Sequence, residues 1–276
     1  MHVMPAPRVD DVLPPHDPLP AERDYRLVVS WASSEHELRE AQRLRYRVFR
    51  DEMLARLSPP PGTAPGLDAD RFDPYCDHLL VRAIRTGESP EEAPVVGTYR
   101  VLPPAQALAA GGFYTDAEFD LAPLSALRPR ALELGRSCVH AGWRFGGVVL
   151  AMWSALAAYM QAHGLDTMIG CASMSVSDGG AAAATLWNRL RRSHLVAPCW
   201  RVRPRAALRL ATDSVDPAVA RGPLQAPPLI KGYLRCGARV LGPPAFDADF
   251  NTADLPLMLR IADMTPRYRR HLLGTG

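Results

Sequence analysis

At 276 residues, of which 47% are hydrophobic, the chain can bury a full core, and its length admits one large domain or two small ones. A net charge of +3 is too small to argue for nucleic acid, and nearly all of its positive charge is arginine, with Lys231 the only lysine, a bias that fits GC-rich coding. Cys76, Cys138, Cys171, Cys199 and Cys236 are scattered with no C-x-x-C pair, so neither a disulfide framework nor a zinc site is expected, and no metal is assigned.

Residues 1–24 are rich in Pro and Asp and poor in periodic apolar positions, which predicts a disordered tail followed by a single domain over 25–276. The tail lacks the apolar run of a signal peptide, and no stretch reaches the roughly 18 apolar residues of a membrane span. A cytoplasmic protein is therefore expected. Tyr25–Ser30 reads as a strand. Ser34 with Glu37 has the form of a capping box, and Leu38, Ala41, Leu44 and Val48 make the stripe of a helix that ends before Pro59. His78–Ile84 and Val95–Leu102 read as an antiparallel hairpin joined by the loose stretch 85–94, and short helices are predicted at 104–110 and 115–119.

Ala131–Val139 is the next strand, leading through Trp143 and Gly147 into a helix with Val149, Met152, Trp153, Leu156 and Met160 on one face and Gly164 as its C-terminal cap. A strand at 167–173, helices at 181–194 and 227–236, a strand at 238–241 and a strand-like run inside 248–261 complete the order. That order suits an α/β or α+β domain, a mixed and mostly antiparallel sheet with helices on both faces.

Three constellations could carry chemistry. Asp68, Asp70, Asp73 and Asp77 place four carboxylates in ten residues. An EF-hand starting at Asp68 is excluded because Asp73 and Leu79 stand where Gly and Glu are needed. Turn capping is the plain reading, and a pocket for a cationic substrate is the functional one, since clustered like charges need a cation. In the second, Glu133 and Arg136 are three apart, so on a regular strand they face opposite sides. Gly135 between them invites a bulge that would turn both toward one cleft and free backbone N–H groups for an oxyanion. In the third, Arg144, Gly146 and Gly147 precede a helix N-terminus, where backbone amides can approach a phosphate. No serine-hydrolase elbow, Walker loop or H-E-x-x-H motif occurs, and Cys138 or Cys171 with His140 is the weaker nucleophile scheme.

Taken together, the segment Leu44–Phe49, Asp70 and Asp73, Val96–Leu102, Phe119 and the run Glu133–Arg136 resemble the acyl-homoserine-lactone synthases, whose fold is that of the GNAT acyltransferases. The segments Phe72–Val81, Gly112–Leu121, Glu133–His140, Gly170–Ser173 and Pro228–Leu234 resemble more closely the ornithine Nα-acyltransferases of bacterial ornithine-lipid synthesis. The resemblance covers residues 25–270 or so. It implies transfer of a 3-hydroxyacyl chain from acyl carrier protein to the α-amine of L-ornithine, giving lyso-ornithine lipid. The carrier's phosphopantetheine thioester is then a co-substrate, and no cofactor is bound.

By position, the resemblance assigns Arg45, Phe49, Asp70, Asp73, Arg100, Phe119, Glu133 and Arg136 to the site. In this scheme Glu133 is the base, Arg100 or Arg136 meets the substrate carboxylate or orients Glu133, and the Asp70 and Asp73 pocket holds the distal cation. Backbone groups from Arg136 through Ser137 to Cys138 receive the oxyanion. The loop Arg144-x-x-Gly147 departs from the usual GNAT pyrophosphate pattern in having Val149 at its last small position. The basic stretch Arg201, Arg203, Arg205 and Arg209, with Arg191 and Arg192, suggests a docking face for the acidic carrier protein, and the basic segment 265–273 a peripheral contact with an anionic inner membrane. The rival readings are an acyl-homoserine-lactone synthase using S-adenosylmethionine and a noncatalytic, haemolysin-like lipid-binding protein.

Overall fold

The computed structural model describes residues 25–87, 89, 93–144, 147–208 and 226–273. The tail assigned to residues 1–24, Gly146, Arg209 and part of the 85–94 connection lie outside the described residues.

The apolar alternation of the sequence becomes one eight-stranded sheet in the order β1-β2-β3-β5-β6-β10-β8, with β9 paired to β10. Its strands are β1 (Tyr25–Trp31), β2 (Asp77–Arg85), β3 (Val95–Leu102), β5 (Ala131–Val139), β6 (Thr167–Ser175), β8 (Arg239–Val240), β9 (Ala245–Asp247) and β10 (Thr252–Arg260). Short β4 (Phe119–Asp120) pairs β7 (Arg203–Pro204) in a separate ribbon. Every pairing is antiparallel except β5 with β6, which run parallel only from Ala131–Thr167 to Glu133–Ile169. Beyond Glu133 the two strands part.

Helices cover both faces: α1 (Glu35–Tyr46), α2 (Pro104–Ala109), α3 (Gly147–Ala162), α4 (Ala181–Ser193), α5 (Pro228–Cys236) and α6 (Pro266–Leu273). Ser34 caps α1 by accepting the Glu37 N–H at 3.3 Å. Past Tyr46 the helix widens into a π-type turn over Arg47–Glu52, with Met53 N–H donating to Val48 O at 3.1 Å. On β2 and β3, Leu79, Val81, Tyr99 and Val101 face a core shared with Val148, Met152 and Leu156 of α3. Their neighbours face α1, as Arg82 shows by bonding Glu40 through Nη1 at 2.9 Å. The expected cap Gly164 closes α3 in the left-handed region, φ 63°.

The helix expected at 115–119 is instead a single 3-10 turn over Tyr114–Ala117, with Phe119 already in β4. Its first amides, Tyr114 and Thr115, are not capped from within the segment. They find a carboxylate from the sheet.

Candidate active site

Alternation along β5 explains how the site is assembled. Leu132 and Leu134 join the α3-side core, which sends Glu133 to the α1 side. Gly135 still pairs with Arg100 of β3, but Cys138 pairs with Thr98, so Arg136 and Ser137 share the space opposite Tyr99. This is the bulge expected near Gly135, with one difference. Gly135 stays in ordinary strand conformation, and the left-handed residue is Arg136, at φ 49°. A Cβ built on Gly135 meets nothing within 4 Å, so the glycine is not what the bulge demands. The extra residue moves Arg136 onto the face of Glu133, and both line one pocket with Cys76, Arg100, Tyr114 and Thr115.

Glu133 is buried, and its carboxylate accepts the backbone N–H of Tyr114 at 2.6 Å and of Thr115 at 2.7 Å. Burial raises its pKa, against the opposing pull of Thr115, Tyr114 and Arg100. The Thr115 side chain adds a third bond, and with about four lone-pair sites the carboxylate can still accept a proton from a bound amine.

The acidic loop meets its cations inside the protein. Arg45, fully buried on α1, donates Nε to Asp68 at 2.7 Å and Nη2 to Asp73 at 2.8 Å. Arg100 Nη1 reaches Asp70 at 2.6 Å and Asp73 at 2.7 Å. Arg136 Nη2 reaches Asp70 at 3.2 Å, and its Nε lies 3.5 Å from Asp68. Burial alone would raise the aspartates, but Arg100 and Arg136 hold Asp70 at about 2, and Arg45 and Arg100 hold Asp73 lower still. The cation that the clustered carboxylates require is thus three arginines of the chain itself. Burial, then Arg45, also lowers His78 to about 4, so that this buried imidazole is neutral.

Aromatic rings collar Arg136: its guanidinium lies 5.8 Å from the centroid of Phe49, 5.0 Å from Phe250 and 5.5 Å from Tyr114. Sequence reasoning singled out Phe49 but missed Phe250, Tyr114 and Thr115. Nothing in their local pattern marks them. Phe119 is fully buried in a second core with Phe113 and Leu121, where it anchors the 113–121 segment.

The domain family described as acetyltransferase (GNAT) matches residues 44–154, which contain this pocket. A Rhodobacter capsulatus protein described as L-ornithine Nα-acyltransferase is 41% identical over 253 residues, covering 89% of this chain and 95% of that protein. An Agrobacterium fabrum protein of the same description is 40% identical over 242 residues, covering 86% of this chain and 82% of its own. The chain belongs to the L-ornithine Nα-acyltransferase family. Among solved structures, FeeM, an N-acyl amino acid synthase from uncultured soil microbes, shares the fold, with a TM-score of 0.50 at 10% identity over 90% of this chain and 99% of that one.

The remaining expected residues of this acyltransferase flank the pocket. Ser137, at the bulge, is buried and hydrogen-bonds the Tyr99 hydroxyl. Cys138 is buried between α1 and Phe250, and burial pushes its thiol far above the ordinary range, as it does for Cys171. Neither is a thiolate nucleophile. His140 is occupied as a cap, its Nδ1 accepting the Gly142 N–H at 3.2 Å. Arg144 donates to Val139 O at 3.1 Å and pairs with Glu52, and Gly147 opens α3. Among the described residues, no helix is long and apolar enough to cross a membrane.

Proposed function

We propose that the chain transfers a 3-hydroxyacyl group from acyl carrier protein to the α-amine of L-ornithine, giving lyso-ornithine lipid. The observation that carries this reading is the bulge of β5, which gathers Glu133 and Arg136 into one pocket of a chain belonging to this family. Glu133 takes a proton from the α-ammonium, directly or through water, and its raised pKa brings it nearer the working pH of a base. The amine nitrogen then attacks the thioester carbonyl. Backbone N–H groups at the bulge, where Arg136 and Ser137 are offset from the β3 ladder before Cys138 rejoins it, receive the tetrahedral oxyanion. That attack forms the C–N bond; collapse then breaks the C–S bond, the second proton of the nitrogen passes to the leaving thiolate, and the first leaves Glu133 for solvent.

Arg136 is the residue for the substrate carboxylate, because its Nη1 has no hydrogen-bond partner and its ion pairs with Asp68 and Asp70 are longer than those of Arg100 with Asp70 and Asp73. The apolar hollow between α3 and β6, lined by Leu134, Trp153, Ile169 and Tyr233, supplies surface for the acyl chain. Exposed Arg191, Arg192, Arg201, Arg203 and Arg205 support the carrier-protein face, and the three arginines of α6 support contact with an anionic bilayer.

The test is incubation with 3-hydroxyacyl carrier protein and either L-ornithine or S-adenosylmethionine, followed by mass spectrometry. Hydroxyacyl-ornithine is the expected product, and an acyl-homoserine lactone would overturn the reading. Glu133→Gln is expected to cut turnover by about tenfold to a hundredfold.

A further inference from the structure

The carboxylates of the Asp68–Asp73 loop are all paired with arginine, but those on the opposite wall are not. Glu118 lies between the 114–117 turn and β4, and Asp254 of β10 sits directly opposite Ser173 of β6. Cys171, two residues before Ser173, is on the same face. Side-chain atoms of Glu118, Cys171 and Asp254 lie within 4.8 Å of one another.

Asp254 is wholly buried. Its Oδ1 accepts the Thr252 hydroxyl at 2.8 Å. The Ser173 hydroxyl lies against the same carboxylate and the Cys171 thiol against Glu118, but Oδ2 of Asp254 and both oxygens of Glu118 have no partner of good geometry. No arginine or lysine among the described residues is paired with Glu118, Asp254 or neighbouring Asp247. Burying ionised carboxylates side by side is strongly unfavourable, so the pair must hold a proton or be joined by a cation.

Glu118 joins this buried cluster to an open space. A cavity of about 260 Å³ is lined by Glu118, Asp247, Asp70, Tyr114 and Arg136. The Nη1 of Arg136 has no hydrogen-bond partner, and its Nε has only the 3.5 Å ion pair with Asp68. Tyr114 and Arg136 also line the pocket of Glu133, so the cavity adjoins the place where the amine would be acylated.

We propose that Glu118 and Asp254, with Asp247 at the rim, bind the distal ammonium of a diamino acid whose carboxylate meets the free edge of Arg136. This rests on the ornithine reading above and names the residues that select the acceptor. A short methylene chain between the two charged ends holds the α-amine between them, toward Glu133. An ammonium group suits the cluster better than a metal ion. It brings three donors to the open acceptors of Glu118, Asp254 and Ser173. The thiol of Cys171, pushed up by burial and then by Glu118, stays protonated and is a poor metal ligand.

The test compares L-ornithine with L-norvaline, the same skeleton without the distal amine, in the full chain and in Glu118→Gln and Asp254→Asn. Wild type is expected to prefer ornithine by about a thousandfold or more in kcat/KM, because norvaline leaves buried charges unpaired. Each variant is expected to cut that preference at least about tenfold, chiefly through a higher KM for ornithine, with a melting temperature at pH 8 no lower than wild type's. A preference unchanged in the folded variants, or wild type acylating norvaline as readily as ornithine, would overturn the assignment while leaving acyl transfer intact. Zinc or manganese co-purifying with wild type and absent from Glu118→Gln would make the cluster a metal site and overturn it too. Failure of the parent reading looks different: wild type then acylates neither amino acid, and both fall.

Discussion

The loop around Asp68–Asp73 and the wall formed by Glu118 and Asp254 carry the same carboxylates in opposite states. In the first, three buried arginines pair with three aspartates, and Arg100 and Arg136 hold Asp70 at about 2. In the second, burial and then the neighbouring acid Asp254 push Glu118 well up, and burial and then Asp247 push Asp254 up. Dense charge in a sequence therefore marks scaffold here. The residues left open to a ligand are the sparse ones, which meet only because β6, β10 and the 114–118 segment converge.

The largest effect that separates the two regions is Arg45→Met. It takes from Asp68 and Asp73 the one guanidinium that joins them, leaving Asp68 only the 3.5 Å contact with Arg136 and Asp73 only Arg100, and denaturant melts should show a loss of about 3–5 kcal/mol. A loss below about 1 kcal/mol, the size typical of an exposed pair, would mean that the loop is no scaffold. The wall of Glu118 and Asp254 predicts the opposite sign for Glu118→Gln, a gain of about 1–2 kcal/mol at pH 8 in ligand-free protein, because it removes a buried acid whose ionisation the fold disfavours. Destabilisation there would show that Glu118 has a structural partner.

The pH dependence sharpens the contrast. Glu118, Asp254 and Glu133 have raised pKa values, so the stability they confer is full below their unfolded values near 4 and is lost as pH rises through the folded ones. Asp70 and Asp73 are lowered, so theirs is present above about 4 and is lost as pH falls through about 2. The groups facing Glu118 are Asp247, Asp254, Cys171, Tyr114 and Arg136, and Arg136 stays charged throughout. Thermal melts should therefore peak in mildly acidic buffer and decline toward pH 8, with L-ornithine flattening the decline. A flat profile between pH 5 and 8 without ligand would contradict this. The smallest expected effect is Gly135→Ala, under about 1 kcal/mol in stability and little in turnover, since the added methyl meets nothing within 4 Å. A large loss would put the bulge's conformational demand back on the glycine.

Much of this was legible along the chain. Alternation located β1, β2, β3, β5 and β6, the helical stripe gave α1, and a charged pair in an apolar strand beside Gly135 pointed to Glu133 and Arg136. Such features are written locally, because strand and helix periods depend on residues a few positions apart. The family likeness added Arg45, Phe49, Asp73 and Arg100 to the site without saying that three of them pair with one another.

What only the tertiary structure decided is who neutralises whom. The acidic loop looked like a cation pocket until α1, β3 and β5 delivered arginines into it, and Glu133 became the cap of the 114–117 turn only when β5 reached that turn. The two open carboxylates, far apart in the chain, have no local signature at all. Coulomb energy depends on distance and burial in three dimensions, so charge alone is fixed by the residues while its compensation is fixed by the fold.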